Sequence, residues 1–204
     1  MVAVPSGDGA VRAVLFDADG VVQQNPPGWV DLLRRYGDGF VDDLFAAEAP
    51  CMVGSRPFPE VLAEVLRRWD VPVEAGELLG HWCKIEVSAD TVALVRSLRH
   101  AGVGCHLASN QNAYRASYMR SLGYDELFDE QFYSCDLGET KSSPKFFAQV
   151  LDRLGLPAGE VLLVDDGRSY VDVARSAGLR AVQWCIDDGI GVLRHLLSSH
   201  GLPV

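Results

Sequence analysis

The sequence predicts an α/β fold: a parallel sheet with helices on both faces and a helical segment inserted after the first strand. Three observations carry this reading. Apolar runs short enough to be buried strands alternate with helical patterns, the signature of crossovers between parallel strands. Several of the runs end in, or are soon followed by, polar residues that could serve chemistry. The interval from about residue 21 to 87 is too long for a simple crossover, and its pattern is helical throughout.

The first strand is Val11-Arg12-Ala13-Val14-Leu15-Phe16, which runs out into Asp17-Ala18-Asp19-Gly20. In the inserted segment Trp29, Leu32, Leu33 and Tyr36 form one apolar stripe, and Val61, Leu62, Val65, Leu66 and Trp69 another. Asn25-Pro26-Pro27 and Glu86-Val87-Ser88 flank these stripes, and proline restricts the chain at the first. The expected division is therefore a core of residues 1–24 and 88–204 with an inserted cap of residues 25–87. A helix beginning at Ser88 or Asp90 should stop at Ala101-Gly102, where glycine can close it. Strands follow at 103–108, 131–134, 161–164 and 180–184. Between them, Phe147, Val150, Leu151 and Leu154 mark one helix, and Val171, Ala174 and Ala177 mark another before Gly178.

A formal charge of −10 over 204 residues argues against non-specific binding to nucleic acid or an anionic membrane. Five cysteines without a C-x-x-C pair suit a reducing compartment. Residues 1–9 lack a basic stretch followed by an apolar one, and no run reaches the roughly 18 apolar residues of a membrane span. The expected location is cytoplasmic.

In an open parallel sheet, ligands bind beyond the carboxyl ends of the strands. There the sequence delivers Asp17 and Asp19, then Ser109-Asn110-Gln111, then Lys141, then Asp165-Asp166. Taken singly, each has a plainer role: Ser109 as a helix N-cap, Lys141 as a solvated loop cation, Asp165-Asp166 as turn formers. Together, hydroxyl, lysine and paired acids are what phosphoryl transfer through a carboxylate nucleophile needs, because the meeting of two anions must be offset by cations.

These motifs resemble, in order, those of the haloacid dehalogenase superfamily of hydrolases, in its phosphatase-like branch with a helical cap after the first strand. The D-x-D-G motif is matched by Asp17-Ala18-Asp19-Gly20, and the Ser or Thr closing a strand by Leu107-Ala108-Ser109-Asn110. The lysine motif is matched by Lys141-Ser142-Ser143-Pro144-Lys145-Phe146-Phe147, which selects Lys141 over Lys145, and the acidic pair by Val164-Asp165-Asp166-Gly167. The resemblance implies a Rossmann-like core and a Mg²⁺-dependent phosphatase acting on a small phosphorylated metabolite. It implies Asp17 as nucleophile, Asp19 as general acid and base, Ser109 and Asn110 as phosphate binders and Lys141 as the neutralising cation. Mg²⁺ would be held by Asp17, the Asp19 carbonyl and Asp166, with Asp165 joining through a water.

Two positions depart from the family pattern. Ser142 replaces the usual proline, and Tyr170 stands where many relatives carry Asn or Asp, which predicts a weakened support for the metal or Lys141 and modest activity; Asp172 is expected to be exposed. Arg56 is the candidate cap residue for substrate contact, with His81 and Trp82 behind it, while Gln23-Gln24-Asn25 would border the opening. A phosphosugar mutase would share all four motifs, and a metal- and phosphate-binding regulatory module with little turnover is a further alternative. Dehalogenation is disfavoured by Asp19, since no leaving alcohol would need its proton.

Overall fold

Strand β1 (Ala13–Phe16) is buried along its whole length, and the rest of the chain is arranged around it. In chain order the computed structural model, which describes residues 9–204, continues with β2 (Gln23–Gln24), α1 (Trp29–Arg34), α2 (Phe40–Met52), α3 (Phe58–Arg68), α4 (Ala75–Trp82), β3 (Glu86–Val87) and α5 (Ala89–His100). Then come β4 (Gly104–Ser109), α6 (Ala113–Arg120), α7 (Tyr124–Leu127), β5 (Glu130–Tyr133), α8 (Ser134–Leu137) and α9 (Pro144–Leu154). The last elements are β6 (Val161–Asp165), α10 (Arg168–Ser176), β7 (Arg180–Gln183) and α11 (Ile190–Ser199). The N-terminal stretch in which no targeting signal was read lies, but for Gly9, outside the described residues.

Five strands pair in the order β5-β4-β1-β6-β7, all parallel. Alternation along β1 explains why its sequence is apolar throughout: Val14 and Phe16 enter one hydrophobic cluster, Ala13 and Leu15 the other. The first cluster is closed by α5, α6, α7 and α11 through residues such as Leu98, Met119, Leu127 and Leu197; the second by α9 and α10 through Phe146, Val150, Val171 and Ala174. Register sets the site. Phe16 stands opposite both Leu107 and Val164, so the ends of β1, β4 and β6 come together and the polar residues after each are delivered to one edge. The chain leaves β1 for β4 on one side and reaches β6 on the other, which makes this edge the topological switch point.

Helices α1–α4 bury their apolar stripes against one another in a third cluster. The α3 stripe of Phe58, Val61, Leu62, Val65 and Leu66 has helical spacing. Trp82 stacks edge-on to Trp29 at 5.5 Å between ring centroids and tilts against Phe58 at 4.8 Å. The two chain segments joining this bundle to the sheet pair with each other: β2 and β3 form an antiparallel ribbon with Gln23 opposite Val87. No helix among the described residues is long and apolar enough to cross a membrane.

Candidate active site

Where β1 ends, the Asp17 N–H still donates to the Val164 carbonyl at 2.9 Å, which fixes the first turn residue to the neighbouring strand. The Ala18 carbonyl then accepts from the N–H groups of Val21, Val22 and Gln23, folding the chain back sharply. Gly20 has φ +82°, and a Cβ there would lie 2.5 Å from Asp166 Oδ2. Glycine is required twice over, by the backbone angle and by the approach of that carboxylate.

Lys141 is only 1% exposed and sits between two acids, its Nζ 2.7 Å from Asp17 Oδ1 and 2.6 Å from Asp165 Oδ2. Its backbone N–H donates to Asn110 Oδ1 at 2.9 Å, so β4 positions the lysine loop as well as Ser109. Lys145, by contrast, is 79% exposed. Burial alone would lower the Lys141 ammonium, but Asp17 and Asp165 outweigh it and hold the lysine above its usual range. Burial pushes Asp17 up to about 7, against the pull of Lys141 and with the push of Asp165; Asp166 is raised by burial and by Asp165.

Carboxylate oxygens of Asp17, Asp165 and Asp166 lie within 4.8 Å of one another. Three acids facing a single ammonium leave negative charge in excess, and a hard, oxygen-only donor set fits Mg²⁺ rather than zinc. Asp165 also accepts the Gly167 N–H at 2.9 Å, so it closes a turn and anchors the lysine at once.

Asp19 is gripped from the side of α6. Its Oδ1 accepts from Arg115 Nη2 at 2.6 Å and Gln23 Nε2 at 3.0 Å, and its Oδ2 from Gln111 Nε2 at 2.7 Å. Gln23 is in turn held by the Tyr124 hydroxyl. Ser109, 2% exposed, accepts from Gln111. It does not cap α6; Asn112 does, accepting the Arg115 N–H. Gln23 and Gln111 were expected near the opening and the strand end, but their grip on Asp19, and Arg115 altogether, were not anticipated.

Asp17, Asp19, Ser109, Asn110, Lys141, Asp166 and Tyr170 line a cleft of about 370 Å³, bordered by Gln24 and Asn25. Tyr170 does not leave Lys141 unsupported: its ring stands 5.0 Å from the ammonium, a cation–π contact in place of a polar side chain. Ser142 is exposed, and Asp172 pairs with Arg168 at the surface, as expected. Arg56 is not among the lining residues; its exposed guanidinium is engaged in a bidentate pair with Glu64 of α3. His81 is also outside the lining, whereas Trp82 lines a second cavity of about 270 Å³ that shares Asp19, Asn25, Met52 and Asn110 with the cleft. Glu48 of α2 lines this second cavity too; it is 4% exposed and accepts from Asn112 Nδ2 at 2.6 Å. Burial raises its carboxyl, opposed by Asn112, Arg115 and Trp82.

Residues 11–178 match the family model described as haloacid dehalogenase-like hydrolase. The chain is 26% identical over 184 residues to a phosphorylated carbohydrates phosphatase of Thermotoga maritima, covering 84% of both proteins. It is 27% identical over 194 residues to a phosphoglycolate phosphatase of Pectobacterium atrosepticum, covering 85% of this chain and 80% of that one. A HAD family enzyme of Bacteroides thetaiotaomicron, solved with magnesium and inorganic phosphate, superposes with a TM-score of 0.78 at 16% identity over 90% of this chain and all of that one, a likeness of fold. With the matching model spanning most of the chain, the protein belongs to the haloacid dehalogenase-like hydrolase family.

Proposed function

We propose that the protein is a Mg²⁺-dependent phosphatase that hydrolyses a small phosphorylated metabolite through an aspartyl phosphate on Asp17. The observation that carries this reading is Lys141, fully buried between Asp17 and Asp165 in a cleft that Ser109 and Asn110 also line. A buried lysine facing a carboxylate at the mouth of a cleft has a use in phosphoryl transfer, where it offsets charge shared between nucleophile and phosphate.

An Asp17 oxygen attacks phosphorus while the bond from phosphorus to the ester oxygen breaks and Asp19 gives that oxygen its proton. Asp19 then takes a proton from water, whose oxygen attacks the phosphorus and returns Asp17 as a carboxylate. General acid and base assistance of this kind contributes about 10²–10⁴ in rate. Asp19 Oδ1 is pinned by Arg115 and Gln23, so Oδ2, held by Gln111, is the oxygen able to exchange its partner for the leaving group. Ser109 and the Asn110 N–H bind the phosphoryl oxygens. Asp17, Asp166 and the Asp19 carbonyl would hold Mg²⁺, with Asp165 behind them, and the ion would supply charge stabilisation on the phosphoryl group.

In the same reading, residues 25–87 act as a cap that closes over the core of residues 1–24 and 88–204. The enzyme is cytoplasmic, in keeping with five unpaired cysteines. Tyr170 contacts Lys141, which weakens one of the two departures behind the regulatory-module alternative; Ser142 is the other. Phosphate release from a generic aryl phosphate with Mg²⁺ tests the proposal and separates an enzyme from a binding module, while product analysis on phosphosugars separates hydrolysis from mutase activity. Release should be lost in Asp17→Asn and reduced at least a hundredfold in Asp19→Ala; undiminished turnover in Asp17→Asn removes the nucleophile assignment.

A further inference from the structure

The second cavity adjoins the phosphate cleft, sharing Asp19, Asn25, Met52 and Asn110 with it. We infer that it is the leaving-group subsite and that Glu48 sets its selectivity, admitting a compact neutral or cationic alcohol with hydroxyl or ammonium donors and rejecting a carboxylated one. The inference rests on the phosphatase reading, which places the reacting phosphorus at Asp17 and the ester oxygen at Asp19. A group attached to that oxygen extends past Asp19 into the space beyond, the cavity that Asp19 also lines.

Size argues for a compact occupant. About 270 Å³ falls below the roughly 300–1,000 Å³ of pockets that take drug-sized ligands. Trp29, Phe45, Met52 and Trp82 supply an apolar wall, suited to the carbon face of a ring or short chain. Of the lining residues that segment 25–87 contributes, Asn25 and Glu48 are polar and Glu48 alone carries a charge. Along α2 the buried positions are Phe40, Leu44, Glu48 and Cys51, a packing stripe in which an apolar residue at position 48 would avoid the cost of burying a carboxylate. Asn112 fixes one of its oxygens, so the carboxylate is held in orientation at the cavity. Arg115 pulls on Glu48 but is shared with Asp19, which it pairs at 2.6 Å. The cavity thus presents two carboxylates against one guanidinium, and a leaving group bearing its own carboxylate would meet an excess of like charge.

Glu48 could instead serve only to latch cap to core through Asn112, and Glu48→Gln separates the two roles. Its amide oxygen can still accept from Asn112, while the charge is gone. With Mg²⁺, kcat/KM would be measured for a hexose phosphate, phosphoethanolamine, phosphoglycolate and p-nitrophenyl phosphate. The wild-type protein should prefer the hexose phosphate and phosphoethanolamine to phosphoglycolate by at least tenfold, and this ratio should shrink at least tenfold in Glu48→Gln, chiefly through KM. A wild-type protein that hydrolyses phosphoglycolate as well as the neutral esters overturns the inference without any variant, as does a ratio unmoved in Glu48→Gln. Hydrolysis of p-nitrophenyl phosphate without selectivity among the others overturns this inference alone. Failure to release phosphate from any of the four overturns the phosphatase reading beneath it.

Discussion

Single side chains in this site do several jobs, and the residues that look out of place are the most instructive. Tyr170 breaks the family pattern by offering no amide or carboxylate, yet its ring faces the Lys141 ammonium at 5.0 Å. A desolvated cation–π contact is worth up to about 2 kcal/mol, enough to restrain a lysine already held by two acids. Tyr170→Phe keeps the ring and should leave kcat for an aryl phosphate within about twofold. Tyr170→Ala should lower kcat by about tenfold with a smaller change in KM. Equal losses in the two variants would show that the hydroxyl, not the ring face, is what matters. Arg115 teaches a related lesson. At 6% side-chain exposure it is a buried cation whose place depends on Asp19, so the proposed acid–base residue is also the counter-ion that keeps α6 docked.

At the scale of elements, the sheet decides which polar residues meet, and a helix N-cap secures the ribbon that joins the α1–α4 bundle to the sheet. Ser88 ends the β2–β3 ribbon and begins α5: its Oγ accepts from the Thr91 N–H at 3.2 Å, and its own N–H donates to the Val22 carbonyl. Ser88→Ala leaves the ribbon's backbone bond intact but removes the cap, at a cost of about 0.5–2 kcal/mol measurable by urea unfolding. Stability unchanged by this substitution would mean that water replaces the serine without loss. Elements of this kind were legible in the sequence, since the Ser88 start, the Gly102 stop and every main-sheet strand fall within two residues of their expected bounds. Strand ends were legible for the same reason, because parallel register lines them up. The clamp on Asp19 was not. Gln23, Gln111 and Arg115 reach it from positions 4, 92 and 96 residues away, and only their nearness to the strand-end motifs hinted at them. Arg56 is placed differently from the expectation: an arginine in a loop between helices suggests a reach into the cleft, and here its guanidinium pairs with Glu64 on the adjoining helix. Glu48 passed unnoticed because an acid in a helical segment is normally a solvated residue, and only packing shows that it faces inward.

For the molecule as a whole, crowding acids at one edge of the sheet sets function against stability. Asp17 has an ordinary value of 3.8 and is raised to about 7, so between those values the folded chain keeps a proton that the unfolded chain has released. Stability therefore falls as pH climbs through that window, the direction opposite to that of an acid stabilised by its ion pair. Asp166, also raised, adds to the same trend. A cation that binds only the folded state offsets the crowding and stabilises by mass action, about 2.7 kcal/mol at a hundred times its Kd. Three melting curves follow. In EDTA the unsubstituted protein should gain Tm relative to Asp17→Asn as pH falls from about 8 to about 5.5, a comparison that cancels the opposite trend of His81, His106 and His200, which burial lowers; at pH 8, Mg²⁺ should raise Tm; and Asp17→Asn in EDTA should melt above the unsubstituted protein while responding less to Mg²⁺. In a chain of this length each kcal/mol moves Tm by about 2–4 °C, so shifts of several degrees are expected and easily resolved. An Asp17→Asn protein that melts lower in EDTA would show that the Lys141 pair outweighs burial and that Asp17 supports the fold. A higher melt, accompanied by lost turnover, would show that the fold bears the cost of this carboxylate for the reaction it performs.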